Sequence, residues 1–213
     1  MVSEANRQGV RRAEVVAVLG GSAMLAGSWV IVAVTAGVPG WEHEFFEWVN
    51  DAPDVLWPVV WGPMQLGSLA GSLVVVIVTY AVTRQRRLTL AALVASQLAW
   101  WSAKLIKGVV ARGRPEALLA HVKLREHASG VGYVSGHAAV AFALATVLAP
   151  SLPRAWRPVA FAVASAVGFA RLYSGAHLPL DVVGGAGLGV LSGTLVRWAF
   201  GLGGEGLPVH VRP

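Results

Sequence analysis

Residues 171–200 read RLYSGAHLPLDVVGGAGLGVLSGTLVRWAF, and this stretch decides how the rest of the chain is interpreted. The apolar run over residues 180–200 has the length of a bilayer-spanning segment, since about 20 apolar residues cross the hydrocarbon core. Backbone groups in lipid must bond to one another, so the run is predicted to be helical. Gly185 and Gly189 form a small-x-x-x-small step, which permits close contact with a neighbouring helix.

Five further apolar runs make the same prediction, so the expected fold class is all-α: an integral membrane bundle of six transmembrane helices. The composition agrees, because 55% of the residues are hydrophobic and 13% are charged, whereas about a quarter of a soluble domain is charged. We expect a single transmembrane domain over residues 1–213, with its chemical motifs between residues 104 and 181. The six predicted spans are residues 15–38, 59–82, 88–110, 135–152, 156–173 and 180–200.

Arginines at alternate ends of these spans set the expected orientation. The positive-inside rule assigns such segments to the cytoplasm, so both termini are predicted to be cytoplasmic. The preference for Arg over Lys, with abundant Ala, Val and Gly, points to a bacterial source, and we expect a multi-pass protein of the bacterial cytoplasmic (inner) membrane. The arginines in question are Arg7, Arg11, Arg12, Arg84, Arg86, Arg87, Arg154, Arg157, Arg197 and Arg212.

The loop between the first two spans is acidic, contains no Lys or Arg, and is rich in tryptophan. Tryptophans such as Trp41, Trp48 and Trp57 are typical of the aromatic belt at a membrane interface. Residues 41–57 are therefore predicted to include a short helix that lies on the outer membrane surface.

Charge and cysteine content exclude several function classes. The net charge is +6, but most of the arginines lie at the ends of apolar runs, so we expect no nucleic-acid partner. The chain has no Cys, which excludes disulfides, thiolate catalysis and cysteine-ligated zinc. A homo-oligomer stays open, since nothing in the sequence fixes the oligomeric state.

The first chemical motif is KGVVARGRP over residues 107–115. Lys107 ends the third span, and the residue before a proline avoids the helical region, so Arg114 is free to fold back toward Lys107. Two cations held close together repel each other unless an anion joins them. The alternative interpretation is that both side chains snorkel to lipid headgroups.

The second motif is YVSGH over residues 133–137, directly at the start of the fourth span. Ser135 is a favoured helix cap, and Gly136 lets a ligand approach the backbone. The N-terminus of a helix offers free N–H groups and a partial positive charge, which suit phosphate. His137 falls in this first turn, although an incidental interfacial histidine is the alternative.

The third motif joins Arg171, His177 and Asp181. His177 and Asp181 are four residues apart, a spacing that places them on one face of a helix. A carboxylate that bonds one imidazole nitrogen fixes the tautomer and leaves the other nitrogen as a nucleophile. Pro179 fits a first helical turn, so His177 is also compatible with the start of the helix. The alternative is a purely structural His–Asp pair.

Together, the motifs supply three cations, an anion-binding helix end and two histidines, a composition that favours phosphoryl transfer. Asp181 is the only acid within the three motifs, so we expect neither a metal site nor a cofactor. All three motifs fall on the side assigned as extracytoplasmic. The expected partners are therefore a lipid phosphate substrate and the bilayer itself.

The order and spacing of the motifs resemble those of the type-2 phosphatidic acid phosphatase family, also called lipid phosphate phosphatases. Its signatures are K-x6-R-P, P-S-G-H and S-R-x5-H-x3-D. Two supporting positions depart from them, because Val134 replaces the proline of the second and Ala170 replaces the serine of the third. The matching residues are Lys107, Arg114, Pro115, Ser135, Gly136, His137, Arg171, His177 and Asp181.

The resemblance implies a role for each matched side chain. His177 is implied to attack phosphorus and form a phosphohistidine, with Asp181 orienting it. His137 is implied to protonate the leaving oxygen and then to activate water. The departures at Val134 and Ala170 are expected to affect rate or substrate choice. Phosphate binding is implied for Lys107, Arg114, Ser135, Gly136 and Arg171.

The sequence leaves the substrate and the acceptor open. The candidate substrates are a polyprenyl diphosphate, phosphatidate, phosphatidylglycerol phosphate and a prenyl-phosphoryl sugar phosphate. Alternatives to hydrolysis are phosphoryl transfer to another acceptor, or a non-catalytic lipid-binding or transport protein of the same fold. The loop over residues 116–132 lies beside the motifs and is interpreted either as a reader of the headgroup or as a solvated loop.

Overall fold

The computed structural model describes residues 4–203, and this part of the chain consists of helices, turns and loops without a β-strand. The all-α fold class is therefore confirmed. The described residues form nine α-helices and four short 3-10 turns. The α-helices are α1 Glu4–Val34, α2 Gly40–Asn50, α3 Trp57–Met64, α4 Leu69–Thr83, α5 Arg86–Val110, α6 Pro115–Leu118, α7 Gly136–Leu148, α8 Arg157–Tyr173 and α9 Pro179–Ala199.

The predicted six membrane crossings are only partly matched by helix length and composition. Among the described residues, the Arg12–Val34 part of α1 and the whole of α9 are long and apolar enough to cross a bilayer. A third crossing follows if Asp54–Gly67 and Leu69–Thr83, which meet at an angle of 72°, form one broken span. The six-span arrangement and the cytoplasmic termini stay predictions, and Arg212 lies outside the described residues.

The helix predicted over residues 59–82 is interrupted near its middle. Pro63 lies in the last turn of α3, where its ring leaves one helical hydrogen bond unmade. Ser68 is extended, and its hydroxyl accepts a hydrogen bond of 2.9 Å from the Gly71 backbone N–H. A serine in this position starts a new helix, so α4 begins in a new direction.

α9 lies at the centre of the bundle, where it packs against α1, α5 and α7. A Cβ atom on Gly185 would lie 2.4 Å from the Ser135 carbonyl oxygen, and one on Gly189 would lie 2.4 Å from that of Ala139. Side chains never approach a carbonyl so closely, so glycine is what permits this contact with α7. The predicted packing role of Gly185 and Gly189 is confirmed.

α2 is an amphipathic helix between the first two predicted spans. Trp41 and Trp48 are exposed on one face, while Glu42 and Phe46 are fully buried on the other. The short helix predicted within residues 41–57 is therefore present. Exposed aromatic rings suit a helix at a membrane interface, and its position on the outer surface stays a prediction.

Four helix ends meet at one end of the bundle: the C-termini of α5 and α8 and the N-termini of α7 and α9. All three chemical motifs lie there. The basic segments lie at the opposite ends of the same helices, with Arg87 in the first turn of α5 and Arg197 in the last turn of α9. The bundle thus places the chemical motifs, which carry basic residues of their own, at the end opposite Arg87 and Arg197.

Candidate active site

A cavity of about 570 Å³ opens between the four helix ends and the loop over residues 126–131. Of the eight residues predicted to form the site, six line this cavity, and they come from all three motifs. Asp181 and Ser135 are fully buried behind its wall. The lining residues among the predicted set are Lys107, Arg114, Gly136, His137, Arg171 and His177.

His177 lies in the short turn before α9 rather than on the helix. Its Nδ1 is 3.3 Å from Oδ2 of Asp181, and the same oxygen accepts a hydrogen bond of 3.0 Å from the Leu178 backbone N–H. Asp181 is thus the third residue of the helix and caps its start. Of the two geometries left open by the sequence, the helix-start arrangement is the one observed.

The surroundings of His177 keep its imidazole neutral. Burial lowers the pKa of His177 well below its usual value, and the positive charges of Lys107, Arg171 and Arg114 lower it further. With Nδ1 facing the Asp181 carboxylate, that nitrogen carries the proton. In that tautomer Nε2 carries the lone pair, as a nucleophile requires.

Two charged residues that are not among the matched signature positions, Glu42 and Arg112, complete the support of Asp181. The Arg112 guanidinium donates a hydrogen bond of 2.9 Å to Oδ1 of Asp181 and bonds of 3.1 and 2.6 Å to the two carboxylate oxygens of Glu42. Burial opposes a charged guanidinium, but these two carboxylates raise the pKa of Arg112 overall. Sequence analysis missed both residues, although the spacing of the buried positions Glu42, Phe46 and Val49 is a helical signal.

The cavity cations are held by backbone carbonyls of the adjoining loop. Lys107 donates to the carbonyl oxygens of Val131 at 2.9 Å and Gly132 at 2.6 Å. Arg114 donates to the Ser129 carbonyl at 3.0 Å and, across the site, to that of Ala176 at 2.7 Å. Neutral acceptors fix both cations without cancelling their charge, so both remain available to an anion.

Arg171 differs from the other two cations because it already has a carboxylate partner. Its guanidinium forms an ion pair with Glu126 of the loop, and its side chain is 4% exposed. The Nε of Arg171 is buried, and no hydrogen-bond partner for it is found in the described part of the chain. Any anion that bound Arg171 would have to compete with Glu126 for it.

The start of α7 contributes Gly136 to the cavity lining, whereas Ser135 is buried beside it. The Ser135 hydroxyl accepts from the Ala138 N–H at 3.4 Å as a helix cap, and the Ser135 N–H donates to the Asp181 carbonyl at 2.8 Å. Gly136 lines the cavity, with the Trp100 ring 3.4 Å from where a Cβ would lie. Ser135 does not itself line the cavity, and the phosphate contact implied for its hydroxyl stays a prediction.

The loop over residues 116–132 divides into an anchored part and a cavity-lining part. Arg125 donates to the Asn50 carbonyl at 2.8 Å and to Asp54 at 2.7 Å, which fastens the loop to the end of α2. Glu126 and His127 line the cavity. Between residues 4 and 203, no three His, Cys, Asp or Glu side chains are placed to share a metal ion.

Fold and site together define a helical bundle with a cavity at one end that is lined by histidine, arginine and lysine. The model of the PAP2 superfamily matches residues 86–202. The bacitracin transport permease protein BcrC of Bacillus licheniformis is 33% identical over 162 residues, which cover 72% of this chain and 77% of that protein. The chain therefore belongs to the PAP2 superfamily, the family that the three motifs resemble.

Two solved structures share this architecture. The crystal structure of LpxE from Aquifex aeolicus has a TM-score of 0.67 and 27% identity, covering 73% of this chain and 93% of that chain. A transmembrane PAP2-type phosphatidylglycerolphosphate phosphatase from Bacillus subtilis has a TM-score of 0.67 and 21% identity, covering 84% and 94%. Membership of the superfamily indicates a phosphatase and an integral membrane protein.

Proposed function

We propose that the protein is a membrane lipid phosphatase that hydrolyses a phosphate monoester or diphosphate through a phosphohistidine at His177. The single observation that carries this proposal is the cavity itself. It brings together His177, oriented by Asp181, with a second histidine and the cations of all three motifs. Each side chain matches a need of phosphoryl transfer, namely a nucleophile, a proton donor and charge neutralisation.

The reaction divides into two displacements at phosphorus. Nε2 of His177 attacks, the bond from phosphorus to the leaving oxygen breaks, and His137 gives that oxygen a proton. The lipid leaves as an alcohol, or as a lipid monophosphate when the substrate is a diphosphate. His137 then takes a proton from water, whose oxygen displaces His177 and releases inorganic phosphate.

Charge stabilisation is assigned to groups that the fold already holds in place. Lys107 and Arg114 bind the phosphoryl oxygens. Arg171 also binds them once its ion pair with Glu126 is broken. Asp181 offsets the positive charge that develops on the imidazole of His177 as the bond to phosphorus forms. Preorganised charges of this kind stabilise a transition state without reorganising when the reaction occurs.

The distribution of arginines supports an extracytoplasmic site. The site lies opposite the end that carries Arg87 and Arg197, and the positive-inside rule assigns that end to the cytoplasm. The basic residues at the site end depart from this rule, and we assign Lys107, Arg114 and Arg171 to phosphate binding instead. If the chain crosses the membrane six times with both termini in the cytoplasm, the four helix ends that form the site all lie on the outer side. We therefore assign the cavity to the outer face of the bacterial cytoplasmic membrane.

An apolar cavity supports a lipid rather than a soluble substrate. It measures about 500 Å³ and lies between α1 and α5. Its lining includes Leu25, Trp29, Ile106 and Val109, together with Tyr133 of the second motif. A hydrocarbon chain placed here would remove apolar surface from water. Polyprenyl diphosphate, phosphatidate, phosphatidylglycerol phosphate and a prenyl-phosphoryl sugar phosphate all remain candidates.

Phosphate release by the purified protein tests the proposal. Each candidate lipid is presented in detergent micelles with EDTA present, and His177→Ala is compared with His121→Ala, a matched loop variant whose side chain does not line the cavity. We expect His177→Ala to lose phosphate release and His121→Ala to keep it. Full activity of His177→Ala would remove this residue from the mechanism.

A transport function is the second candidate, because one relative is named a transport permease. If the protein only transports its substrate, cells need the folded protein but do not need His137 or His177. A strain carrying both His137→Ala and His177→Ala would then behave as wild type. Phosphotransfer to another acceptor predicts instead a phosphoenzyme that decays only when that acceptor is added.

A further inference from the structure

A chain of three buried charged side chains runs from α2 to the back of the candidate nucleophile. Glu42 and Asp181 are each 0% exposed and Arg112 is 8% exposed. Arg112 lies between the two carboxylates and bonds to both. Removing a partner from such a buried pair leaves an uncompensated charge, so the three groups act as one unit.

We infer that Glu42 and Arg112 are positioning residues, which fix the carboxylate of Asp181 so that its Oδ2 faces Nδ1 of His177. This inference rests on the proposed function. Neither residue lines the cavity, so both act through Asp181 and not by contact with substrate.

The two carboxylate oxygens of Asp181 have different partners. Oδ1 accepts the bond from Arg112 at 2.9 Å, whereas Oδ2 faces His177 at 3.3 Å and the Leu178 N–H at 3.0 Å. With Oδ1 held, rotation of the carboxylate would break a charge-assisted bond. Arg112 therefore restricts Asp181 to the orientation that bonds the imidazole.

Glu42 holds Arg112 in place and also fastens α9. Both of its carboxylate oxygens accept from the guanidinium, and Oε1 accepts in addition from the Leu180 N–H at 2.9 Å. Leu180 lies in the first turn of α9, one residue before Asp181. Glu42 thus sets the backbone that carries Asp181 as well as the cation that orients it.

Glu42 also makes the net charge of the buried cluster negative, because Arg112 by itself neutralises the charge of Asp181. Arg112 and Asp181 alone sum to zero, and Glu42 brings the cluster to a net charge of −1. A negative cluster behind His177 favours the positive imidazole ring formed on phosphorylation, and this attraction is strong where water is excluded. Replacing Glu42 by Gln keeps the shape of the side chain but returns the cluster to neutrality.

The test compares Glu42→Gln with Glu44→Gln, which removes the same charge from the exposed side of the same helix. Phosphate release gives kcat and KM, and inhibition by inorganic phosphate reports binding in the cavity. We expect kcat of Glu42→Gln to fall about ten- to a hundred-fold, the usual effect of losing a hydrogen bond to a charged group. KM and phosphate inhibition should stay unchanged, and Glu44→Gln should match wild type.

A double-mutant cycle with Asp181→Asn separates positioning from a merely structural role. If Glu42 acts through Asp181, Glu42→Gln has little further effect on kcat once Asp181 is Asn. Equal fold-losses in both backgrounds would overturn the inference, as would an unchanged kcat in Glu42→Gln alone.

Two further variants keep the test decisive. Should Glu42→Gln fail to fold, Arg112→Lys retains the positive charge but loses the fork that bonds both carboxylates, and it should lower kcat with KM unchanged. His177→Ala distinguishes the two levels of the proposal. Full activity of His177→Ala defeats the proposed function, whereas loss in His177→Ala with normal kcat in Glu42→Gln and Arg112→Lys defeats this inference alone.

Discussion

Replacing Glu126 by Gln should make the cavity bind phosphate more tightly. Glu126 forms an ion pair with Arg171 inside the cavity, where a phosphate oxygen would otherwise bind. Its carboxylate also repels an incoming phosphate dianion. Glutamine keeps the size of the side chain but lacks the charge, so Arg171 becomes available at lower cost.

The expected gain in phosphate affinity depends on how far the ion pair between Glu126 and Arg171 is exposed to solvent. A hydrogen bond to a charged group contributes about 1.5–3 kcal/mol when buried. The Glu126 side chain is 29% exposed, so solvent screening reduces its contribution to about 1 kcal/mol. This corresponds to a decrease of about five-fold in the inhibition constant for inorganic phosphate.

The assay is inhibition of lipid hydrolysis by added inorganic phosphate at several substrate concentrations. KM should fall in the same direction as the inhibition constant, because substrate and product share the site. Glu44→Gln is the control for loss of one acidic charge at a distance. An unchanged or larger inhibition constant in Glu126→Gln would refute competition between Glu126 and phosphate for Arg171.

The remaining predictions concern stability. The depressed pKa of His177 means that below pH 6.5 the unfolded chain takes up a proton that the folded protein does not. The unfolding free energy should therefore fall with decreasing pH, and His177→Gln should reduce this slope by about 1.4 kcal/mol per pH unit. Gly185→Ala should destabilise the protein by about 1–3 kcal/mol, because its Cβ meets the Ser135 carbonyl. Gly27→Ala, which meets nothing within 4 Å, should not lower the melting temperature, since alanine favours a helix more than glycine does.

The cavity-lining residues were predictable because each motif combines ionisable groups with a helix boundary. Lys107 precedes a helix end, and His137 follows a serine cap. In each case, the local sequence fixes the direction of the chain. Alternating helices then bring these ends together at one face of a bundle, so six predicted residues share the cavity.

The support behind Asp181 was not predictable in the same way. Glu42 and Arg112 are 70 residues apart, and each looks ordinary in its own segment, one among several acids and one among several arginines. Only tertiary packing, which places α2 beside both the start of α9 and the segment that follows α5, brings them together. Likewise, hydropathy averaged over residues 59–82 conceals the break between Pro63 and Ser68, although both signals are in the sequence.

The most direct measurement is to find where the phosphoryl group is held during turnover. The purified protein is mixed with lipid substrate labelled in its phosphate, quenched in base to preserve phosphohistidine, digested and sequenced by mass spectrometry. Our account expects the label on Nε2 of His177 and no labelled peptide from His177→Ala. A phosphoryl group on any other residue, or turnover in His177→Ala at the wild-type rate, would contradict it.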